Sequence, residues 1–439
     1  MSIMKFLSQA LLLLTFFFTS ITQISGQEGQ DLYSHEHKDM LPELSAIGEH
    51  AVGVKTLMAV DQDYVDPFDG SANPRSLKLE IWYPTEDTTG ADAIYTNQTR
   101  NGTKFSINAN ALRDAQAADL SDVSVVIISH GYTGYRTIMY YLGEHLASHG
   151  YLVVSIDHTD STNEDVDPKV NPFSGFRSTL INRSRDQQFV LDYISDGRIA
   201  QEIFGNSVGI KNAGLIGYSM GGYGAISTVG GCYDFSDDFT KRMIFSVDEE
   251  KIKAAQAVFN TCAGGQSPDS YKVDERWKAM IAFAPWGGRD GVISEASINT
   301  IKVPSLYISG NQDDVSGYEG IKNQFQQTTS TDSYLLTYVN ARHNIAPHPA
   351  PQEAWTSEYD FGHYYEPAWS SQTLNRINQH FALAMMDCYL SDDEDACTYL
   401  DLPMSSDQPP EGRQLSAPWK GFDHRYGTGM TWDMKKVED

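Results

Sequence analysis

The chain has 439 residues, of which 41% are hydrophobic and 21% are charged. This length allows one large domain or two to three small ones. The proportion of hydrophobic and charged residues is typical of globular proteins and excludes a mainly disordered chain. The 58 acidic residues outnumber the 32 basic ones, for a net charge of −26, which argues against nucleic acid as a partner because a phosphate backbone attracts basic surfaces.

Residues 1–26 have the pattern of a secretory signal peptide. Lys5 precedes an apolar run from Phe6 to Phe18, and small and polar residues then lead to a predicted cleavage point near Gly26. The run is too short for a comfortable membrane-spanning helix, although an uncleaved N-terminal anchor is the alternative. We therefore expect a secreted or periplasmic protein with no stable membrane insertion after cleavage.

The next part of the chain predicts two strands joined by an acidic loop. Residues 52–60 are rich in apolar side chains, and residues 77–83 alternate between apolar and polar. The loop at 61–70 contains several aspartates, which makes calcium an alternative, but Val65 stands where an EF-hand loop needs an oxygen ligand. We therefore predict no metal site.

From residue 123 onward, buried strands alternate with helices. The predicted strands cover 123–129, 151–156, 213–217, 279–284, 304–309 and 334–339, and the predicted helices include 137–148, 178–195 and 373–390. Such alternation is typical of a mostly parallel sheet with helices on both faces. We expect an α/β fold in one domain at 27–401, with an inserted cap-like segment at 230–275 and a C-terminal tail at 402–439.

The four cysteines predict two disulfide bonds. An even number of cysteines in an exported chain favours disulfides, and four cysteines allow three pairings. Short separations favour Cys232–Cys262 and Cys388–Cys397, because neighbours in sequence close a loop more easily. The chain has no C-x-x-C pair, so the sequence does not support a structural zinc site.

The strongest motif is the pentapeptide at 217–221, Gly-Tyr-Ser-Met-Gly, which follows an apolar strand and opens a helix. In that context G-x-S-x-G is a nucleophile elbow, in which a sharp turn exposes the serine hydroxyl above the sheet. Side chains two residues before or after the serine would clash within the turn, hence the glycines. The motif predicts that Ser219 is a nucleophile.

Two further positions are predicted to surround this serine. Tyr132 follows His130 and Gly131 at the end of the strand 123–129, where its backbone N–H and that of Met220 would form an oxyanion hole. Trp286 lies just past the strand 279–284, at the edge of the sheet where active sites form. We interpret Tyr132 and Trp286 as facing aromatic walls of a substrate cleft, with a core tryptophan as the alternative for Trp286.

A carboxylate and a histidine follow the last two predicted strands in the order that a serine nucleophile of this kind needs. Asp313 lies just past the strand 304–309, and His343 follows the strand 334–339. A carboxylate placed there orients the imidazole that takes the serine proton. His348 lies farther past its strand between two prolines, and Asp290 is a weaker candidate for the acid.

Three segments resemble known esterases: His130-Gly131-Tyr132, the stretch 146–151 and the elbow 217–222. They are similar to the platelet-activating-factor acetylhydrolase and dienelactone-hydrolase-like group, and to the related bacterial cutinase and polyester hydrolase group. The segment 343–347 resembles the histidine segment of the first group. The positions that match important ones in the second group are Tyr132, Ser219, Met220, Trp286, Asp313 and His343.

The resemblance spans residues 120–350 and implies the α/β-hydrolase fold and hydrolysis of carboxylic esters without a cofactor. We expect a Ser219–His343–Asp313 triad acting on a small-molecule or polymeric ester, with a preference for short-chain or aromatic esters. A cutinase-like polyester hydrolase, a peptidase on the same fold and a noncatalytic binding protein are the alternatives. The segment 230–275 is absent from compact cutinases, and as a cap it would narrow access for a polymer.

Overall fold

A computed structural model describes residues 29–33, 41–205, 208–407, 419–422 and 427–437. The predicted signal peptide at 1–26 lies outside these residues. Within them, no helix combines the length and the apolar character that crossing a membrane requires.

The described residues form one sheet of eleven strands. The strands are β1 (Ala51–Asp61), β2 (Arg75–Thr85), β3 (Asp92–Gln98), β4 (Lys104–Arg113), β5 (Val123–Ser129), β6 (Leu152–Asp157), β7 (Ile210–Tyr218), β8 (Trp277–Phe283), β9 (Ser305–Gly310), β10 (Ser333–Tyr338) and β11 (Met430–Lys435). Their order is β11-β10-β9-β8-β7-β5-β6-β2-β1-β4-β3. The six strands from β10 to β6 pair in parallel, whereas β11 and β2 pair antiparallel with the ends of this group.

The parallel register brings the carboxyl ends of the central strands to one edge. Ser129 lies opposite Gly217, Tyr218 lies opposite Phe283, and Tyr338 lies opposite Gly310. In sheets of this kind, ligands bind outside the carboxyl ends of the strands. The loops that follow β5, β7, β8, β9 and β10 therefore meet at this edge.

Helices cover both faces of the sheet, as the alternating pattern predicted. They are α1 (Tyr140–Ser148), α2 (Phe176–Ser195), α3 (Gly197–Phe204), α4 (Met220–Thr228), α5 (Asp237–Ile244), α6 (Glu249–Phe259), α7 (Glu295–Ile298), α8 (Tyr318–Gln327), α9 (Glu358–Phe361), α10 (Ser371–Leu390) and α11 (Glu394–Cys397). One core contains α1 and α10 with Val126 and Ile128 of β5. The other contains α2 and α4 with Val125 and Ile127, because successive strand residues point to opposite faces.

The segment 230–275 contains α5 and α6 and is closed by the disulfide Cys232–Cys262. Phe239 of α5 and Phe259 of α6 are buried in the same core as α2 and α4, so the segment packs on that face of the domain. The second disulfide joins Cys388 in α10 to Cys397 in α11. Both predicted pairings are therefore confirmed.

Candidate active site

The turn between β7 and α4 holds Ser219 in a backbone conformation with φ +53° and ψ −112°. This left-handed region is unfavourable for a residue with a side chain, and such strain is found at functional sites. A Cβ on Gly217 would collide with the carbonyl of Gly221, and a Cβ on Gly221 would collide with the carbonyl of Ser129. The two glycines are thus required by the tight packing of the turn.

Asp313, His343 and Ser219 form one hydrogen-bonded chain. The His343 Nδ1 lies 2.9 Å from Asp313 Oδ2, and the His343 Nε2 lies 3.1 Å from Ser219 Oγ. All three residues are buried, and each comes from a loop at the carboxyl end of a strand. With the Nδ1 proton donated to the carboxylate, Nε2 is free to accept the hydroxyl proton of Ser219.

The carboxylate of Asp313 is held by the loop that follows it. Its Oδ1 accepts backbone N–H groups of Val315 at 2.9 Å and Ser316 at 2.8 Å. Burial raises the pKa of Asp313, but the charge of His343 and the hydrogen bonds from His343 and the two amides outweigh burial, so the pKa lies below its ordinary value. The carboxylate therefore stays ionised beside the imidazole.

The alternative residues lie elsewhere. Asp314 forms an exposed ion pair with Arg342, and Asp290 is exposed. His348 is fully buried and its Nε2 lies 2.7 Å from the hydroxyl of Tyr135. Burial lowers the pKa of His348 to about 4, so this ring stays neutral within the core.

The predicted oxyanion residues flank the nucleophile. Met220 is the first residue of α4, where a backbone N–H has no partner within the helix. The loop after β5 passes directly alongside Ser219, since a Cβ on Gly131 would lie 3.0 Å from the Cβ of Ser219. Tyr132 is the next residue of this loop, and its hydroxyl donates to the carbonyl of Pro172 at 2.9 Å.

A buried polar network supports the loop that carries Tyr132. The His158 Nδ1 lies 2.9 Å from Asp186 Oδ2, and its Nε2 lies 2.8 Å from the hydroxyl of Ser129 at the end of β5. The backbone N–H of His158 donates to His130 Nε2 at 3.1 Å. Asp186 also accepts two hydrogen bonds from Arg75, at 2.7 and 2.9 Å. His130 and His158 therefore serve this network and have no contact with the hydroxyl of Ser219 among the described hydrogen bonds.

Trp286 and Tyr132 are joined through a third aromatic ring. Phe176, the first residue of α2, lies 5.5 Å from Tyr132 and 5.6 Å from Trp286 between ring centroids, edge-on to both. The half-buried Trp286 ring also packs against Tyr223 and Phe239. The sequence did not assign Phe176 to the site, and it is this ring that separates the two predicted walls.

A cavity of about 660 Å³ contains Ser219 and His343. Its other walls come from the oxyanion loop, the turn that carries Arg100, and the segment 358–367 that includes α9. The segment 230–275 does not line this cavity. Arg100 and the segment 358–367 are thus parts of the site that sequence reasoning missed.

The described residues contain no cluster of side chains suited to a metal ion. No three or more histidine, cysteine, aspartate or glutamate side chains in those ranges are arranged to hold a metal ion. The acidic loop at 61–70 belongs to these described residues.

The chain matches two family models. Residues 114–230 match the family described as PET hydrolase-like, and residues 35–165 match platelet-activating factor acetylhydrolase, isoform II. The first match includes Tyr132, Ser219 and Met220. The resemblance that the sequence motifs indicated is therefore confirmed.

Cutinases are among the similar proteins. Cutinase est1 of Thermobifida alba is 25% identical over 220 residues, which is 50% of this chain and 52% of that protein. Cutinase 1 of Thermobifida cellulosilytica is 33% identical over 101 residues, covering 23% of this chain and 32% of that protein. The chain thus spans about half the length, or less, of these relatives.

A solved structure extends the likeness to most of the chain. A ferulic acid esterase from Streptomyces cinnamoneus superimposes with a TM-score of 0.51, over 88% of this chain and 97% of that one, at 17% sequence identity. The chain has the α/β-hydrolase fold. At this low identity the superposition establishes the fold alone.

Proposed function

We propose that this protein is a carboxylic ester hydrolase that forms an acyl-enzyme on Ser219. The observation that carries the proposal is the hydrogen-bonded chain from Asp313 through His343 to Ser219 at a strained strand-to-helix turn. The match to PET hydrolase-like and acetylhydrolase families and the likeness to cutinases support an ester as the substrate. An assembled triad argues against a noncatalytic binding protein.

The geometry supports a two-step mechanism. His343 Nε2 takes the proton of Ser219 as Oγ attacks the ester carbonyl, and Asp313 stabilises the resulting imidazolium. The backbone N–H groups of Tyr132 and Met220 stabilise the tetrahedral oxyanion. His343 then returns the proton to the leaving alcohol, and a water molecule repeats the sequence to release the acid.

Small esters are the proposed substrates. A cavity of about 660 Å³ is of the size that accommodates small organic ligands, and the rings of Tyr132 and Phe176 offer apolar surface beside it for a short acyl chain or an aryl group. The wall formed by 358–367 restricts access from one side.

A polyester is the second candidate substrate. The match of residues 114–230 to a PET hydrolase-like family favours it, and the rings of Tyr132, Phe176 and Trp286, packed edge to face, offer aromatic surface for aryl units. The enclosing segment 358–367 favours small soluble esters over a polymer film.

We further propose a secreted or periplasmic location. The signal-peptide pattern at 1–26 and the two disulfides support it, because disulfides persist in oxidising compartments. Mass spectrometry of the culture medium and of a periplasmic extract tests this, and an intact N-terminus in the cytosol would contradict it.

Esterase assays on a graded series of substrates test the activity. We expect the wild-type chain to hydrolyse 4-nitrophenyl acetate and butyrate faster than the palmitate or a polyester film, and to be labelled by a fluorophosphonate probe. Ser219→Ala should fold normally and lose turnover by about 10⁴-fold to 10⁶-fold. If Ser219→Ala kept a tenth of the wild-type activity, Ser219 would be rejected as the nucleophile. A preference for the palmitate ester would reject the proposal of short-chain substrates. Rapid release of monomer from the film would favour a polyester as the substrate.

A further inference from the structure

Arg100 places an unpaired positive charge in the cavity that holds Ser219. It lies in the turn between β3 and β4, is only partly exposed, and lines the same cavity as Ser219 and His343. Its guanidinium lies 5.7 Å from the ring centroid of Tyr359. Within the described ranges no carboxylate lies within ion-pair distance of Arg100, whereas Arg342 in the same cavity pairs with Asp314.

The turn that carries Arg100 is fixed on both sides. The Asn101 backbone N–H and Nδ2 donate to the carboxylate of Asp360 at 2.9 and 3.1 Å. On the other side, Gln98 and Asn163 exchange two hydrogen bonds, each from a side-chain amide to a backbone carbonyl, at 2.8 and 3.0 Å. Arg100 therefore stands on a braced hairpin and is positioned before any ligand arrives.

Most of the other charges in the cavity are already satisfied. Glu366 accepts the backbone N–H groups of Arg342 at 2.8 Å and Asn344 at 3.0 Å. Asp314 is taken by Arg342. Glu358 is exposed at the rim, and it is the remaining carboxylate that lines the cavity. Two of the three carboxylates that line the cavity of Arg100 are therefore engaged by other partners.

His363 is a second basic side chain beside Arg100 in this cavity. It is 97% buried and lines the same cavity, and in the described part of the chain its Nδ1 has no hydrogen-bond partner. Burial, followed by the charge of Arg100, holds the pKa of His363 well below its ordinary value. The ring is therefore neutral, and the positive charge in this corner of the cavity belongs to Arg100.

We propose that Arg100 binds a carboxylate of the substrate, so that the enzyme acts on esters that carry a free carboxylate group. This inference rests on the proposed esterase function. A guanidinium presents a planar fork of donors that matches a carboxylate, and such charge-assisted pairs are strong in a partly buried cavity. The charge is needed locally because the chain as a whole carries −26 and repels anionic substrates.

The reaction itself is ordinary ester hydrolysis. The acyl–oxygen bond of the substrate breaks, water supplies the hydroxyl of the new acid, and its remaining proton goes to the leaving alcohol. The carboxylate held by Arg100 stays unchanged, so Arg100 acts as a specificity-determining residue. The carboxylate belongs either to the acyl part, as in a half-ester of a dicarboxylic acid, or to the alcohol part, as in an acyloxybenzoate.

Matched pairs of esters test the inference. The acyl arm compares mono-4-nitrophenyl glutarate with 4-nitrophenyl valerate, and the alcohol arm compares 4-acetoxybenzoate with its neutral methyl ester. For each arm the quantity measured is the ratio of kcat/KM for the acidic ester to that for the neutral ester. We expect Arg100→Ala to lower this ratio by about 10-fold to 100-fold in at least one arm, through KM, and Arg100→Lys to lower it less.

One further variant is a control, and another tests the effect of the carboxylate at the rim. Arg242→Ala removes one exposed arginine that does not line the cavity of Ser219, and we expect it to leave both ratios unchanged. Glu358→Gln removes the competing carboxylate at the rim and should raise the ratio. Thermal unfolding of each variant verifies that the fold is retained.

The outcomes separate the inference from the proposed function. If the neutral esters are hydrolysed and the ratios of kcat/KM are the same in wild type and Arg100→Ala, the inference is overturned and the esterase function stands. An equal fall of the ratio in Arg242→Ala also overturns it, since the effect would then follow from total charge. Absence of turnover of all four esters by the wild-type chain overturns the esterase function and this inference with it.

Discussion

Replacing Asp313 by asparagine should abolish turnover through a change of tautomer. Two backbone N–H groups, of Val315 and Ser316, point at Oδ1, so the amide oxygen of the new side chain must take that position. Its NH₂ group then faces His343 Nδ1, where Oδ2 accepted a hydrogen bond at 2.9 Å. Nδ1 has to become an acceptor, and the ring proton moves to Nε2, the atom that faces Ser219 Oγ.

An imidazole with its proton on Nε2 cannot accept the proton of Ser219. The loss expected for this wrong tautomer is about 10⁴-fold in kcat, which corresponds to about 5 kcal/mol of transition-state stabilisation. KM should change little, because Asp313 is buried behind the histidine and does not line the cavity. Release of 4-nitrophenolate from 4-nitrophenyl butyrate measures both constants.

Asp314→Asn is the matched control. It removes the same charge one residue later, from an exposed pair with Arg342, and exposed pairs contribute little. We expect its kcat to stay within about threefold of wild type. The reasoning is refuted if Asp313→Asn keeps more than a tenth of the wild-type kcat, or if Asp314→Asn is the more damaging change.

Three further predictions concern stability, each measured by denaturant unfolding. Burial raises the pKa of Glu144 from 4.5 to about 7. Between these two pH values the folded state holds a proton that the unfolded state has released. The free energy of unfolding should therefore fall by about 3 kcal/mol as the pH rises from about 4.5 to about 7. The Glu144→Gln variant should show a weaker dependence of stability on pH, and an unchanged slope would contradict the assignment of this dependence to Glu144. Asp186→Asn should cost about 3–5 kcal/mol, because it leaves the buried Arg75 without its main partner; a loss no larger than that of the exposed control Asp192→Asn would contradict the argument. Replacing Cys232 and Cys262 by serine should cost about 3.6 kcal/mol, against about 2.6 kcal/mol for the other pair, because their sequence separations are 30 and 9; the reverse order would reject the loop-entropy explanation.

The sequence predicted the central sheet and the triad geometry because both have strong local signals. The strands β5 to β10 are nearly continuous apolar runs, and the residues Ser219, Asp313 and His343 each lie within five residues of the end of such a run. Once the strands are parallel, their ends meet, so residues 124 positions apart, such as Ser219 and His343, come into hydrogen-bond contact.

The outer strands were missed because their patterns are weak. β3 reads Asp-Ala-Ile-Tyr-Thr-Asn-Gln. It alternates between exposed and buried residues, but two of its three buried residues, Tyr95 and Asn97, are not aliphatic. β11 lies in the tail at 402–439, where no strand was predicted, and its partner β10 is 92 residues earlier by the register Tyr338 to Met430. Pairing between strands so far apart in the sequence produces no local sequence pattern.

The walls of the site were missed for a related reason. Arg100 enters the cavity only because the hairpin β3–β4 docks on α9, through the contact between Asn101 and Asp360. Phe176 reaches Tyr132 only because α2 begins beside the oxyanion loop. Such contacts depend on how elements pack, whereas the triad depends on where strands end.

The antiparallel pairing of β11 with β10 has a practical consequence for anyone shortening the chain. A version ending at residue 401, the boundary that the sequence favours, would lack the six-residue strand Met430–Lys435 and the buried side chains of Met430 and Trp432. It would turn β10 into a free edge, and an apolar unpaired edge recruits strands from other molecules. We therefore expect such a truncated protein to aggregate during expression. An affinity tag should be added after β11 and should not replace it.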